Sequence, residues 1–338
     1  MRYLETYSND PEYNLSFEEY CFKYLPLEDE EYVFLWINSP AVIIGKNQNA
    51  RREINSEYFA THDLKLIRRI TGGGAVYHDL NNLNFSFVTK VKGLAQIDFK
   101  SYYQPIVNAL RAIGVEAELS GRNDVTIDGL KCIGASQSIW HNRVLSNGCI
   151  LFDVQLTELA KALNPDPSKL ETKGVKSVRS RITNIKPHLK QEIDVLEFKA
   201  ELLRQIFALR GEEPREYKLS EQELAGVNKV YNERFSRASW NWGRDLGAAY
   251  YHKRRFPSGS VELSFDLENA GDEAKARVKN LKIYGDFFGI REVSELEERL
   301  EGIPLSEEEM LEAISDLPLK EIIGAVSAEE LVEIFFMT

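Results

Sequence analysis

The stretch Arg68–Asp79, RRITGGGAVYHD, sets three consecutive glycines between two runs of otherwise strand-like composition. A glycine weakens a strand, so a lone one marks a bulge or loop. Three in a row, with paired arginines before and a His-Asp after, point to backbone that must approach a ligand closely. Two phosphate-binding loops are excluded. A Walker loop needs Gly-Lys-Ser/Thr and a dinucleotide fingerprint needs G-x-G-x-x-G, each opening a helix, whereas strand-like AVYH follows Gly74. Successive amides without Cβ atoms still form an anion-binding concavity, and arginine forks at its entrance match phosphate or carboxylate oxygens. On an extended chain Arg68 and Arg69 point to opposite faces, so one is expected to reach the ligand and the other to make a structural or surface pair. Adjacent His78 and Asp79 diverge in the same way, which favours a turn-stabilising role for Asp79 over a base and its orienting carboxylate.

The whole chain narrows the function classes. Its 338 residues exceed one ordinary domain, and 43% hydrophobic with 28% charged residues supports a sizeable core, so two domains are expected. A formal charge of -11 argues against a general nucleic-acid or anionic-membrane binder, leaving local basic residues to hold any phosphate. Cys21, Cys132 and Cys149 form neither an even set nor a CxxC pair, so no disulfide framework or zinc site is expected. The N-terminus lacks an apolar signal region and no window approaches the roughly 20 apolar residues of a membrane span, which leads us to expect a cytoplasmic protein.

Local patterns place the motifs. Asp10-Pro11 caps an early helix. The runs EYVFLWIN and AVIIG read as two strands joined by a turn at Ser39-Pro40. In LNFSFVTK, Leu83, Phe85 and Phe87 alternate with Asn84 and Ser86, the mark of a half-buried strand. A helix over YYQPIVNALRAIG ends on Gly114. Arg234–Phe256 has no period and reads as a connection. GSVELSFDLEN and RVKNLKIYGDFF then read as strands, followed by capping boxes at Ser294/Glu297, Ser306/Glu309 and Ser327/Glu330, together a compact α+β module.

A second constellation is GRNDVTIDGLKCIGASQ, Gly121–Gln137. Asp128-Gly129 between apolar residues is a two-residue hairpin signal. It holds Lys131 beside small residues, where an ammonium can meet a ligand, although the local pattern alone favours a surface lysine; Asn123 and Asp124 are typical turn residues.

RRITGGGAVYHD, NLNFSF, GRNDVTIDGLKCIGASQ and NPDPSKLETKGVKSVRSRITNI, in this order, resemble the lipoate-protein ligases, and the likeness runs from NLSFEE near the N-terminus to GDFFG near residue 288. The resemblance implies an α+β fold: a biotin/lipoate-ligase-like catalytic domain with a mixed β-sheet and flanking helices over residues 1–246, and a small α+β accessory domain over 247–338. It also implies activation of lipoate by ATP, with Mg²⁺, to lipoyl-AMP. The acyl group then passes to a lysine of apo lipoyl domains of 2-oxoacid dehydrogenase complexes or of the glycine-cleavage H protein; a monomer is expected. Carried over residue by residue, Arg69, Gly72, Gly73, Gly74, Ala75, Val76 and Tyr77 would hold the acyl-adenylate, with His78 among the binding residues. Asn123 and Asp124 would border the nucleotide, Asp124 contacting Mg²⁺. Lys131 would be the catalytic lysine, touching both the lipoate carboxylate and the α-phosphate.

Departures from the family pattern fall at Asn81, at Asn147 and within GLKCIGASQ, and bear on acyl preference. Lys173, Lys176, Arg179 and Arg181 form a basic island that would face ATP, an acidic carrier or solvent. The alternative reading is an octanoyl or lipoyl transferase of the same fold, working without ATP through a thioester on Cys149 or Cys132. A non-catalytic sensor and a biotin ligase are weaker readings, the latter lacking its Gly-Arg-Gly-Arg loop.

Overall fold

The computed structural model describes residues 1–27, 30–91, 98–121, 123–164, 181–243, 247–272 and 275–337. Among them a seven-stranded sheet runs in the order β1 (Arg2–Leu4), β2 (Tyr32–Trp36), β6 (Asn82–Lys90), β10 (Arg143–Leu151), β9 (Leu130–Trp140), β8 (Asp124–Ile127) and β7 (Glu118–Ser120). A small sheet, β4 (Lys65–Arg68), β3 (Ala41–Ile44) and β5 (Val76–His78), carries the glycine loop between its outer strands. The pairs β1–β2 and β3–β4 are parallel and the neighbouring pairs antiparallel, so the architecture is mixed. The runs EYVFLWIN and AVIIG are both strands, but they lie in different sheets, and Ser39-Pro40 is the passage between them.

Both faces of the large sheet are covered. Val33, Leu35, Phe85 and Phe87 pack beneath the helices Phe99–Ala112 and Val195–Ala208. Phe34, Trp36 and Val88 pack beneath the helix Pro11–Tyr24. That helix starts as expected, with Asp10 accepting the Glu12 N–H and Pro11 in the first turn. The alternation in β6 therefore does not mark a solvent face: Asn84 and Ser86 are buried, and Ser86 accepts the Trp36 Nε1–H at 3.1 Å while donating to Glu18 Oε1 at 2.6 Å. The hairpin at Asp128-Gly129 forms with both residues at positive φ, 51° and 77°, which explains why those two residue types stand there.

The C-terminal strands β11 (Tyr250–Phe256), β12 (Gly259–Glu268) and β13 (Arg277–Gly285) form an antiparallel sheet whose core, with Val261, Leu263, Ile283, Leu296, Met310 and Leu331, is separate from those above. The stretch read as an aperiodic connection contains β11. Its long polar side chains each meet a carboxylate, Tyr251 and Lys253 on one face reaching Glu262 at 2.6 and 2.8 Å, and Arg254 on the other reaching Glu333 at 2.5 Å. Of the three expected capping boxes, Ser327/Glu330 forms. Ser306 makes no side-chain cap, and Ser294 lies inside its helix while Glu297 receives the Ile283 N–H and the Lys282 ammonium instead.

This module is seated on the glycine-loop region. The Gly285 N–H donates to Asn47 O at 2.9 Å, Lys46 pairs with Glu292 at 2.6 Å, and the Phe288 ring meets Phe99 edge-on at 5.0 Å. No helix among the described residues is long and apolar enough to cross a membrane.

Candidate active site

The paired arginines divide their work between two structural tasks. Arg68 leaves β4 and donates to the carbonyls of Gly45, Lys46 and Gln48, and on its other side to those of Trp240, Asn241 and Trp242. Arg69 points the other way, as alternation requires, and is buried. Its Nε donates to Thr71 Oγ1 at 3.0 Å, Nη1 to Ile43 O at 3.3 Å, and Nη2 to Gly72 O at 2.6 Å and Gly74 O at 2.9 Å. Burial pushes both guanidinium groups down to about 10, still charged at neutral pH.

The glycines follow from this. Gly73 has φ +90°, and a Cβ there would lie 3.0 Å from both Arg69 Nη2 and the Phe288 ring. A Cβ on Gly72 would lie 2.5 Å from the Phe287 carbonyl oxygen. The loop is thus pressed between the guanidinium that shapes it and the C-terminal module, a role that the local sequence does not announce.

From Arg69 a directional hydrogen-bond chain runs under the cavity. Ser136 Oγ donates to Asn147 Oδ1, so the 2.8 Å contact between Thr71 and Ser136 has the Thr71 hydroxyl as donor. Asn147 Nδ2 then donates to Glu18 Oε1 at 2.8 Å, beside the Ser86 hydroxyl. Burial raises the Glu18 carboxyl to about 7 against the lowering effect of those two bonds and of Arg69.

Above this floor lies a cavity of about 410 Å³. Leu15, Trp36, Ile43 and Val76 give it apolar walls, and Asn123, Asp124 and Lys131 a polar end. Lys131 Nζ stands 2.7 Å from Asp124 Oδ1, and Asn123 is tied to β9 through Ala135 O at 2.6 Å. Of the sequence-predicted residues, Arg69, Gly73, Gly74, Ala75, Val76, His78, Asn123, Asp124 and Lys131 line this one cavity. Gly72 faces Phe287 and Phe288 instead, and Tyr77 is buried among Val42, Ile44 and Leu66. Lys173, Lys176 and Arg179 lie outside the described residues, while Arg181 reaches the cavity. Sequence reasoning did not single out Trp36 or Ser136 within the runs that hold them, and it missed Arg255 and Asp286, which arrive from the C-terminal module.

His78 is neutral. The Asn38 amide oxygen accepts from Asn14, so its Nδ2 donates to His78 Nδ1 at 3.1 Å, which leaves the ring proton on Nε2. Burial, reinforced by Arg69, lowers its pKa to about 3. Asp79 accepts the Asn81 N–H at 2.8 Å and the Gln155 N–H at 3.0 Å, the turn role expected of it. Cys149 also lines the cavity, but burial pushes its thiol up to about 12, and it donates to Asn82 Oδ1 rather than to a base. Cys132 is likewise pushed up to about 12 and donates to Val125 O. Neither is a poised thiolate. Among the described residues no group of three or more His, Cys, Asp or Glu is arranged to hold a metal ion. A single carboxylate, Asp124, fits Mg²⁺ held mainly by phosphate oxygens and water.

Comparison with known proteins agrees with this geometry. Residues 10–207 match the lipoyl protein ligase A/B catalytic domain and residues 247–335 the bacterial lipoate protein ligase C-terminus. The fold is thus that of an acyl-ligase catalytic domain with an α+β C-terminal module. The chain belongs to the lipoate-protein ligase family and is an enzyme of that class. It is 39% identical over 330 residues to lipoate-protein ligase LplJ of Bacillus subtilis (strain 168), covering 97% of each chain. The bipartite lipoate protein ligase of Thermoplasma acidophilum, described with its E2 lipoyl domain, is 27% identical with a TM-score of 0.65, over 72% of this chain and 98% of that one. A lipoate-protein ligase A bound with ATP is 25% identical with a TM-score of 0.62, over 72% and 98%.

Proposed function

We propose that this enzyme activates free lipoate with ATP, releasing pyrophosphate, and transfers the lipoyl group from lipoyl-AMP to one lysine of an apo lipoyl domain or H protein. The observation that carries this reading is the single cavity joining an apolar slot to a cationic, glycine-edged end. The dithiolane and its alkyl chain enter between Leu15, Trp36 and Val76, and the carboxylate points towards Lys131. There the carboxylate oxygen attacks the α-phosphorus, the bond to the bridging oxygen breaks, and pyrophosphate leaves with its electron pair. Two anions meet in this step, so catalysis consists of placing cations where charge accumulates and excluding water from the adenylate. Lys131 bridges carboxylate and α-phosphate. Arg69 contributes its charge from beneath while its donors hold the loop in shape. Asn123 and Asp124 border the nucleotide, and Mg²⁺ entering with ATP would neutralise phosphate charge at Asp124. The carrier's lysine amine attacks the acyl carbonyl directly, so no protein nucleophile is required, in keeping with the protonated Cys149. We further propose a domain boundary at 246/247, supported by the separate C-terminal core, a cytoplasmic location, supported by three free buried cysteines, and a monomer, as the family resemblance implies.

The test is intact-mass spectrometry of an apo lipoyl domain incubated with the enzyme and lipoate, with and without Mg-ATP, beside an octanoyl-carrier-protein control. An ATP-dependent lipoyl mass gain is expected. Modification from the acyl-carrier donor alone would replace this reading with the thioester transferase.

A further inference from the structure

The two cations given a role so far, Lys131 at the polar end and Arg69 in the floor beneath the cavity, are already engaged. Lys131 stands 2.7 Å from Asp124, and Arg69 spends its Nε and Nη donors on Thr71 and on backbone carbonyls. The departing pyrophosphate still needs a partner, and the chain supplies one from the module seated over the glycine loop. Arg255, near the end of β11 and paired in register with Ser260, reaches the same cavity as Lys131 and Gly73. The Asp286 carboxylate lies beside it, with Oδ2 3.7 Å from Arg255 Nη1 and Oδ1 accepting from the Ser260 N–H at 2.6 Å and its hydroxyl at 3.0 Å. The carboxylate is therefore anchored while its contact with Arg255 is long, which orients the guanidinium without saturating it. About a third exposed and held by one loose ion pair, this arginine adds little to stability. Its fork suits phosphate oxygens.

We propose that Arg255 binds the β- and γ-phosphates of ATP and stays with the pyrophosphate as the α–β bond breaks. The assignment rests on the adenylating function above. It makes the activation site composite, with Lys131 and the glycine loop from the catalytic part and the leaving-group cation from the C-terminal module. The second half-reaction involves AMP as the leaving group and no pyrophosphate, so Arg255 has no part in it.

The experiment compares wild type with Arg255→Ala, Arg255→Gln and Arg255→Lys in two assays: pyrophosphate release from Mg-ATP and lipoate, and acyl transfer from supplied synthetic lipoyl-AMP to an apo lipoyl domain. The alanine and glutamine variants should release pyrophosphate roughly tenfold to a hundredfold more slowly, with a raised KM for ATP, as expected for loss of a charge-assisted contact. Lysine should restore part of the rate, and all three should transfer from lipoyl-AMP within about twofold of wild type. Glutamine keeps the side-chain length without the charge, so it answers the question if alanine loosens the β11 turn. Unchanged pyrophosphate release, or an equal fall in both assays, would overturn the Arg255 assignment alone. A wild-type enzyme that releases no pyrophosphate would overturn the adenylating reading, and Arg255 with it.

Discussion

At the acyl end of the cavity, hydrogen bonds lead from Arg69 through Thr71, Ser136 and Asn147 to Glu18, all of them buried, whereas at the phosphate end Lys131 and Asp124 face each other across 2.7 Å with about a third of each side chain exposed. Removing one partner from a buried chain leaves another desolvated and costs roughly 1–3 kcal/mol, while an exposed ion pair contributes about 0–1 kcal/mol. The acyl end is thus part of what holds the fold, and the phosphate end is held by the fold. Substitutions at the first should register in stability and at the second in rate.

The sharpest way to break that division is Lys131→Ala. We expect pyrophosphate release to fall roughly 10²–10³-fold with the thermal midpoint almost unmoved, because the lost group faces the reacting phosphate rather than the core. A folded Lys131→Ala enzyme with normal release would remove Lys131 from the mechanism.

The next test exploits pH. Glu18 titrates near 7 in the folded protein against an ordinary 4.5, so its favourable contribution is complete below pH 4.5 and disappears as pH rises through 7. Wild type should lose up to roughly 3 kcal/mol relative to Glu18→Gln between about pH 5 and pH 8, read from urea midpoints. His78 acts in the opposite direction, costing stability as pH falls from 6.5 towards 3, but it is common to both proteins and cancels in the difference. A pH-independent difference would mean that Glu18 titrates normally.

A smaller effect separates the glycines. Gly72→Ala drives a methyl to 2.5 Å from the Phe287 carbonyl oxygen and should lower unfolding stability by roughly 1–3 kcal/mol. No change in the denaturation midpoint would show that the C-terminal module is not pressed on the loop. Least affected should be Cys149→Ser. Serine can keep the bond to Asn82, and activity should stay within about twofold, since the thiol is protonated. A dead but folded variant would favour the thioester route.

Signals that act over a few residues were legible in the sequence. Asp128-Gly129 announces its hairpin and Asp10-Pro11 its helix start, because backbone sterics decide both. The glycine run, the NDVTIDGLK segment and Lys131 mark the cavity in advance. Asn84 and Ser86 mislead because a polar residue paired inside the protein has the same pattern as one facing water. β11 hides because its basic and aromatic side chains are balanced by carboxylates on other elements. Arg255 was out of reach for a related reason: nothing near it in the chain indicates that its module sits over the glycine loop.

Arg68 carries a consequence for folding order. Its Nε bond to Trp240 O spans 172 positions of chain, and its own amide donates to Asn241 Oδ1 at 3.1 Å. We expect such contacts to form late on the folding path, because a very long loop must close first. The segment around Trp240–Trp242 should accordingly be among the first to detach under mild denaturant, before the central strands exchange. Deuterium uptake at the Arg68 amide would then act as a clock for that detachment, reporting how often the seam between the two halves of the polypeptide comes undone while the sheet beneath it stays closed.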